Sequence, residues 1–575
     1  MAENLRLTHE LVDDVPLLIG LMQHLGLPEV LDRHLGNHGN HQGMGNGWLA
    51  TIWLAYVLSQ SDHRKSSVQE WADDLRHTLE ELSGQTLRPG IELNDDRLGI
   101  VLHRLSQESV RHGIDDDLWR NSIAVYELPM DGVRLDSTTT YGYHTPQKDG
   151  VMQYGHSKDH RPDLTQVKLM AAAADPIGQM IACDVHPGNS ADDPLYVPLI
   201  ERVRQILGQL GLLYTGDSKM AAAATRANIA AHQDYYLTVL PLTGETATEA
   251  DLWIAAAVDG EQSVELIWDD EKLLGAGYEF ERSLRVDSDP RSFAWTERVL
   301  VVRSLSLARK QAQTLEEHLR RAKQELMALT PAPGRGKRQF SDESTLLSAV
   351  DQILQRHKVA DLLAVAWQRQ ETSVTRFVGR GRSGPNRPTR TDVQVRYQIT
   401  AVQRNEAAIQ ARKQHQGWRF YVTNLPVTRM DLTQTVIHYR GGWSLERNFH
   451  LVKDLPLGLS PLFVRRDDQI TGLTYLLTIA LRLLTLIEIQ VRRSLRQNNE
   501  ELTGLYEGQP NRTTQQPTGK RLLKAFARAK IILTRAEIDD QRLWHLTPLS
   551  PLLERILHGL GLPTTLYSRL ANNSP

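Results

Sequence analysis

The chain of 575 residues contains a single cysteine, Cys183. One cysteine can form neither an intrachain disulfide nor a cysteine-based zinc site, and such usage is typical of proteins from a reducing cytoplasm. Residues 181–185 predict a strand, so we interpret Cys183 as a small buried hydrophobic residue and not as a catalytic thiol.

Three further features are missing. The N-terminus is polar and mixed in charge, which is not the pattern of a signal peptide. The apolar stretch at 473–489 is interrupted by Arg482 and Glu488, so we expect no transmembrane span. No Gly-x-x-x-x-Gly-Lys-[Ser/Thr] loop occurs, so we expect no nucleotide cofactor. These absences predict a cytosolic protein whose chemistry does not need ATP.

Three acidic residues occupy positions that are typical of ligands to catalytic metal ions. Asp136 and Asp217 each end a short apolar run that predicts a strand, and Glu446 lies in a predicted helical segment. Three converging carboxylates can hold two divalent cations about 4 Å apart, and Mg²⁺ prefers such hard oxygen ligands. This would support in-line displacement at a phosphate. An isolated Asp after a strand is more often a turn or cap residue, so the flanking residues decide.

Those flanking residues resemble the insertion-sequence DDE transposases, in the branch with a Tyr-Arg-Glu-Lys signature. The resemblance extends over about 130–485 and rests on Leu-Asp-Ser-Thr at 135–138, Gly-His-Ser-Lys-Asp-His-Arg-Pro-Asp-Leu at 155–164, and the segments 213–220 and 439–453. It implies that Asp136, Asp217 and Glu446 are catalytic and bind two Mg²⁺ ions, for which Mn²⁺ can substitute. One ion, held by Asp136 and Asp217, would activate the nucleophile, and the other, held by Asp136 and Glu446, would stabilise the leaving oxygen.

The signature has one departure. Tyr439, Glu446 and Lys453 fall in register, but Gly442 occupies the arginine position, and the neighbouring Arg440 is the residue we expect to supply the charge. Two adjacent glycines each disfavour a helix by about 1 kcal/mol, so we predict a break at Gly441 and Gly442.

The order of predicted elements from residue 130 onward is that of a ribonuclease H-like core. Strands are expected at 133–136, 166–174, 179–186, 212–217 and 235–240. A helix capped by Asp192 or Asp193 should follow the third strand. In this architecture the first and fourth strands are neighbours, which would bring Asp136 close to Asp217. The gap between Asp217 and Glu446 far exceeds a loop of about 15 residues, so an inserted domain is expected.

The expected fold is therefore α/β, with a ribonuclease H-like core interrupted by a mostly β insertion. We predict a helical N-terminal DNA-binding region at 1–125, the first part of the core at 126–241, the insertion at 242–415, the second part of the core at 416–490, and a helical C-terminal region at 491–575. Helices at 48–58 and 95–105 would belong to the N-terminal bundle.

The net charge of −3 is not that of a basic DNA-binding protein, so local clusters must carry DNA affinity. The Gly-Arg-Gly-Arg segment with Arg380 and Arg382 is the favoured phosphate contact, whereas a basic group at 335–338 is equally consistent with a solvated linker. Trp295 could stack on a flipped base, but a core position is the favoured alternative. His34, His38 and His41 are interpreted as a loop and not as a metal site. Further expected DNA contacts are Tyr439, Arg440, Lys453, Lys158, Arg161 and Lys168.

The sequence thus predicts a transposase that cuts and joins double-stranded DNA at terminal inverted repeats and target sites on the nucleoid. The resemblance also implies a homodimer on paired ends and excision through a hairpin. Two alternatives stay open, namely a non-catalytic DNA-binding protein derived from a transposase and a general nuclease of the same fold.

Overall fold

The computed structural model describes residues 6–37, 43–288, 291–380, 387–538 and 541–572. Three residues singled out above, His38, His41 and Arg382, lie outside these ranges.

The N-terminal region begins with a strand and continues as a helical bundle. Helix α3 is apolar on every side and is buried along nearly its whole length, so it forms the centre of the bundle. The helices expected at 48–58 and 95–105 are present as α3 and α6. The elements are β1 Arg6–Leu11, α1 Val15–His24, α2 Leu27–Leu35, α3 Asn46–Gln60, α4 Lys65–Asp74, α5 Arg76–Ser83, α6 Asp95–Leu105 and α7 Glu108–Tyr126.

The next elements form one half of a nine-stranded mixed sheet. They are β2 Gly132–Gly142, β3 Thr165–Asp175, β4 Gln179–Pro187, α8 Tyr196–Leu207, β5 Leu213–Gly216, α9 Ala223–Ala231 and β6 Tyr235–Val239. The sheet order here is β4-β3-β2-β5-β6, with β2 antiparallel to β3 and parallel to β5. All five predicted strands are therefore present, and the predicted adjacency of the first and fourth is confirmed.

The predicted cap of α8 is wrong. A single turn of 3-10 helix at Asp193–Leu195 precedes α8, and neither aspartate makes a side-chain cap. The Asp192 carboxylate instead accepts a hydrogen bond from the Lys168 ammonium. The carboxylate is thus used in a bond between two charged groups, the lysine being buried, and this explains the difference.

The segment expected to be a mostly β insertion contains long helices as well as strands. Strands β7 to β9 do not form a separate sheet but extend the main one, which continues in the order β6-β12-β9-β8-β7. Strands β10 and β11 form a two-stranded ribbon that packs, with α11 and α12, around its own small core. The elements are α10 Glu245–Val258, β7 Glu265–Asp269, β8 Lys272–Ser288, β9 Arg291–Ser304, α11 Leu305–Leu329, α12 Glu343–Arg356, β10 Leu363–Phe377, β11 Thr389–Arg404 and α13 Glu406–Gln414.

The chain then returns to the main sheet through β12 Trp418–Thr423, followed by α14 Leu432–Arg440, α15 Trp443–Lys453 and α16 Asp467–Gln497. The break predicted at Gly441 and Gly442 is present between α14 and α15. Helix α16 is long and apolar enough to cross a membrane, but 94% of its most apolar window is buried inside the fold, as in the central helix of a globular protein.

The sequence predicted a helical C-terminal region, but the structure contains strands as well as helices there. Strand β1 from the start of the chain pairs with β15, so the two ends of the chain share one small sheet. The elements are β13 Leu502–Thr503, β14 Thr513–Thr514, α17 Gly519–Ala529, β15 Ile532–Ile538, β16 Gln541–Leu546, α18 Pro551–Gly559 and α19 Thr565–Asn572.

Candidate active site

Two of the three predicted acidic residues lie side by side in the main sheet. Strands β2 and β5 are parallel, and their last paired residues are Leu135 and Gly216. Asp136 and Asp217 are the next residue along each strand, so they lie at the same level on strands about 4.8 Å apart. Asp136 is still inside β2, where it pairs with Ala171 of β3, whereas Asp217 directly follows the end of β5. The two carboxylates consequently form one acidic centre, although they are far apart in sequence.

The electrostatics of this centre favour a cation. Burial raises the pKa of the Asp136 carboxyl, and repulsion from Asp217 raises it further. The Lys158 ammonium partly offsets this effect, since it lies 3.3 Å from Asp136 Oδ1 and also donates to the Ser137 carbonyl at 2.6 Å. Lys158, predicted as a DNA contact, is therefore a counterion of Asp136.

Asp217 is held in place by a residue that the sequence analysis missed. The Tyr196 hydroxyl, at the start of α8, donates to Asp217 Oδ1 at 2.7 Å. The tyrosine ring is 1% exposed, so packing fixes the position of the hydroxyl. On the other side, the Thr238 hydroxyl donates to the Asp217 backbone carbonyl at 2.6 Å. A buried tyrosine needs a partner for its hydroxyl, but the sequence alone does not say which partner.

Helix α15, which carries Glu446, runs alongside β2. Just before the helix, at the end of α14, the Arg134 guanidinium donates to the Tyr439 carbonyl at 3.3 Å. At the end of the helix, the Lys453 ammonium donates to Thr138 Oγ1 at 3.0 Å. Arg134, Asp136 and Thr138 share one face of β2 because alternate residues of a strand do.

Glu446 lies between these two anchoring contacts. Seven residues make nearly two helical turns, so Glu446 is on the same face of α15 as Lys453 and about 10 Å from it along the axis. Its side chain is exposed. Glu446 therefore shares the helix face whose far end, at Lys453, contacts β2 at Thr138.

The three carboxylates are not assembled as a finished metal site. Within the described ranges, no three His, Cys, Asp or Glu side chains are grouped closely enough to hold a metal ion. The pair of aspartates has the right chemistry for a divalent cation, namely hard oxygen donors whose mutual repulsion a cation would relieve. The structure thus fits one ion at Asp136 and Asp217, and Glu446 would have to move closer to take part.

The presence of glycine at 442, in place of the signature arginine, has a steric explanation. A Cβ atom at Gly442 would lie 3.2 Å from an Arg134 guanidinium nitrogen, and one at Gly441 would lie 3.3 Å from the other. Arg134 is buried and pairs with Asp175 at 2.9 Å while donating to the carbonyls of α14. A guanidinium thus does occupy this junction, but it comes from β2. The predicted substitute, Arg440, is exposed and lies 3.4 Å from the Ser306 hydroxyl.

The other lysines predicted to contact DNA are paired with acids. Lys453 lies 2.6 Å from Asp159, and Lys168 is 5% exposed and bonded to Asp192. Burial alone would raise the pKa of Asp192, but the hydrogen bond from Lys168 outweighs burial and lowers this pKa. Each of these lysines therefore has an acidic partner. Of the two, only Lys168 is fully buried.

The remaining predicted DNA contacts are spread over the molecule. Arg161 pairs with Asp163 at 2.8 Å and lies over the Tyr141 ring of β2. Tyr439 packs edge to face on Tyr421 at 5.0 Å, and burial, followed by Tyr421 and Asp217, raises its pKa. Trp295 donates to the Tyr236 hydroxyl at 2.8 Å at the edge of the core, which favours the core interpretation. Arg380 is exposed just beyond β10, at the end of the ribbon.

Comparison with known proteins identifies the class of this fold. The family model described as a transposase DDE domain matches residues 127–483, from the end of α7 into α16. The chain therefore belongs to the transposases with a DDE domain. No curated protein sequence matches it.

Among solved structures, the chain is similar to the piggyBac transposase in its synaptic complex with hairpin DNA. The identity is 9%, the TM-score is 0.36, and the match covers 97% of this chain and 85% of that chain. A likeness of this strength adds no argument about the site.

Proposed function

We propose that this protein is a cut-and-paste transposase of the Tyr-Arg-Glu-Lys branch, which cuts and joins DNA at the ends of an insertion sequence. The observation that carries the proposal is that Asp136 and Asp217 directly follow the last paired residues of the parallel strands β2 and β5, within the matched transposase domain. The strand order β4-β3-β2-β5-β6, with the first strand at its centre, supports assigning a ribonuclease H-like core.

The metal-binding residues in this proposal are Asp136, Asp217 and Glu446. When bound, two Mg²⁺ ions would lower the pKa of the attacking hydroxyl and neutralise charge on the leaving oxygen. The carboxylates hold the cations, and the Tyr196 hydroxyl orients Asp217 for that task. Glu446 would complete the ligand set from α15.

The basic residues around the aspartates would hold the DNA backbone. Lys158 and Lys453 each lie against one acid in the absence of DNA, and phosphate oxygens can replace those acids as partners. Tyr439 and Arg440 lie at the end of α14, Arg161 lies between β2 and β3, and Arg380 lies at the end of the ribbon. Arg382 is included as a DNA contact on the basis of the sequence alone. The protein would act on the nucleoid as a homodimer, with one subunit at each transposon end.

The alternative is a transposase-derived protein that binds transposon ends without cutting them. One observation favours it, since Glu446 is exposed and the described residues contain no assembled three-ligand metal site. The two functions differ in chemistry and not in DNA affinity, so a single pair of assays separates them.

The test uses the full-length protein and a duplex that carries the inverted repeat at the boundary of its own element. We expect nicking that needs Mg²⁺ or Mn²⁺ and that Asp136→Ala abolishes, while band-shift affinity for the duplex is retained. Asp131→Ala, which removes an exposed carboxylate directly before β2, is the matched control and should still nick. If the wild-type protein binds the repeat but never nicks it with either metal, the alternative is correct. Nicking of duplexes without the repeat would indicate a general nuclease.

A further inference from the structure

A large cleft lies next to α15 and is not used by the proposed chemistry. It has a volume of about 610 Å³ and is formed by α15, the C-terminal part of α16 and the turn between β3 and β4. This size is typical of a pocket that encloses a small ligand and is too small for a duplex.

The cleft is rich in arginine. Four arginines line it, Arg447, Arg492, Arg493 and Arg496, against two glutamates, Glu127 and Glu488. Burial, and after it repulsion from Arg447 and Arg496, lowers the pKa of Arg492, so the guanidinium groups are close enough to repel one another. An anionic ligand would relieve this repulsion.

Part of this charge is not neutralised internally. Glu488 is nearly buried and pairs with both Arg447 and Arg492, which uses its charge fully. Arg493 donates to the Tyr126 carbonyl at 2.6 Å and lies 3.8 Å from the exposed Glu127. Arg496 is exposed and donates to the Arg492 carbonyl at 3.4 Å. The outer part of the cleft, at Arg493 and Arg496, is therefore its most cationic part.

An exposed tryptophan connects this cleft to the acidic residue of α15. Trp443 lines the cleft and is 58% exposed, although tryptophan is usually well buried. It precedes Glu446 by three residues, so the two side chains lie on adjacent parts of the same helix face. A strand that leaves Glu446 and crosses α15 would meet Trp443 first and the arginines next.

We propose that this cleft binds an unpaired segment of DNA, with a base stacked on Trp443 and phosphates bonded to Arg493 and Arg496. An unpaired strand fits the observations better than a duplex, because only unpaired bases offer a free ring face to an aromatic side chain. The inference rests on the proposed function, since cutting at the aspartates would leave a strand end beside Glu446.

The experiment measures binding of full-length protein to a labelled (dT)20 strand and to a 30-bp duplex over a range of salt concentrations. Trp443→Ala should weaken (dT)20 binding roughly 5- to 150-fold, the range expected for loss of one base stack. Trp443→Phe, which keeps a ring, should recover part of the loss. The double variant Arg493→Ala with Arg496→Ala should reduce the slope of log affinity against log salt by about 1.4, or about 0.7 for each lost phosphate contact.

The matched control removes two exposed arginines of α11, Arg320 and Arg321, and should leave the (dT)20 slope unchanged. Arg496→Ala alone serves as a variant whose side chain is outside the core, so that loss of folding cannot account for the result. Wild-type affinity for (dT)20 in Trp443→Ala and an unchanged salt slope in Arg496→Ala would overturn the proposal. Nicking of the inverted-repeat duplex is measured in parallel. Failure of the proposed DNA binding in the cleft and failure of the proposed transposase function therefore give different results.

Discussion

The hydrogen bond from Tyr196 to Asp217 gives the sharpest test of the site. Tyr196→Phe removes only the hydroxyl that donates to Asp217 Oδ1 at 2.7 Å, and the ring remains in its buried position. A hydrogen bond to a charged acceptor contributes about 1.5–3 kcal/mol, and loss of a residue that orients a metal ligand typically weakens metal affinity by about 10- to 100-fold. We expect a shift of that size in the Mg²⁺ or Mn²⁺ concentration that gives half-maximal nicking.

The measurement is a metal titration of nicking, with direct Mn²⁺ binding to the DNA complex as a second readout. Tyr214→Phe is the control, because the Tyr214 hydroxyl is buried but bonds to no other described residue. Both variants should melt within a few degrees of the wild type. Equal metal dependence in Tyr196→Phe and Tyr214→Phe would refute the claim that Tyr196 orients a metal ligand.

Three further predictions concern the surroundings of the site and the stability of the fold. Gly442→Arg restores the signature residue but places its Cβ atom 3.2 Å from Arg134, so we expect reduced nicking and a lower melting temperature. Gly442→Ala should give a smaller decrease in both. Increased nicking by Gly442→Arg would contradict the steric explanation. Asp115→Ala should destabilise the protein by about 3–5 kcal/mol in urea denaturation, since it leaves Arg482 buried without a carboxylate partner and Arg202 with Asp184 alone. Removal of the exposed Asp163 should change stability little. Burial raises the pKa of Asp14 to about 7, so the folded state holds a proton that the unfolded chain loses above pH ~4. Stability should therefore decrease as pH rises from about 4 to about 7, with a slope of up to about 1.4 kcal/mol per pH unit from this group, and Asp14→Asn should remove that part of the slope.

The strands of the main sheet were predictable because their signals are local. Apolar runs that end in Asp136 and Asp217, and good turn residues between β3 and β4, mark the elements without any tertiary information. The helix break at Gly441 and Gly442 followed from backbone propensity alone. The pairing of β2 with β5 followed from the expected order of elements.

The errors arose where long-range contacts override local preference. Asp192 has the composition of a helix cap, but Lys168 from a distant strand takes its carboxylate. The C-terminal strand β15 forms because β1, more than 500 residues earlier, supplies its partner. Tyr196 and Arg134 act through partners on other elements, and no sequence motif marks such contacts. The position of Glu446 relative to the aspartates depends on how α15 packs, so its role stays a prediction.

Strand β12 occupies a place in the sheet that constrains how the protein is made. It lies between β6 and β9, so hydrogen bonding across the middle of the sheet stays incomplete until residue 423 has been synthesised. Contacts between residues so distant in sequence form late in folding. Helix α15 follows β12, so a partly translated chain could already contain both aspartates but not Glu446. Under the proposed mechanism, a chain that ends between β12 and α15 would lack one of the three proposed metal ligands and should not nick DNA.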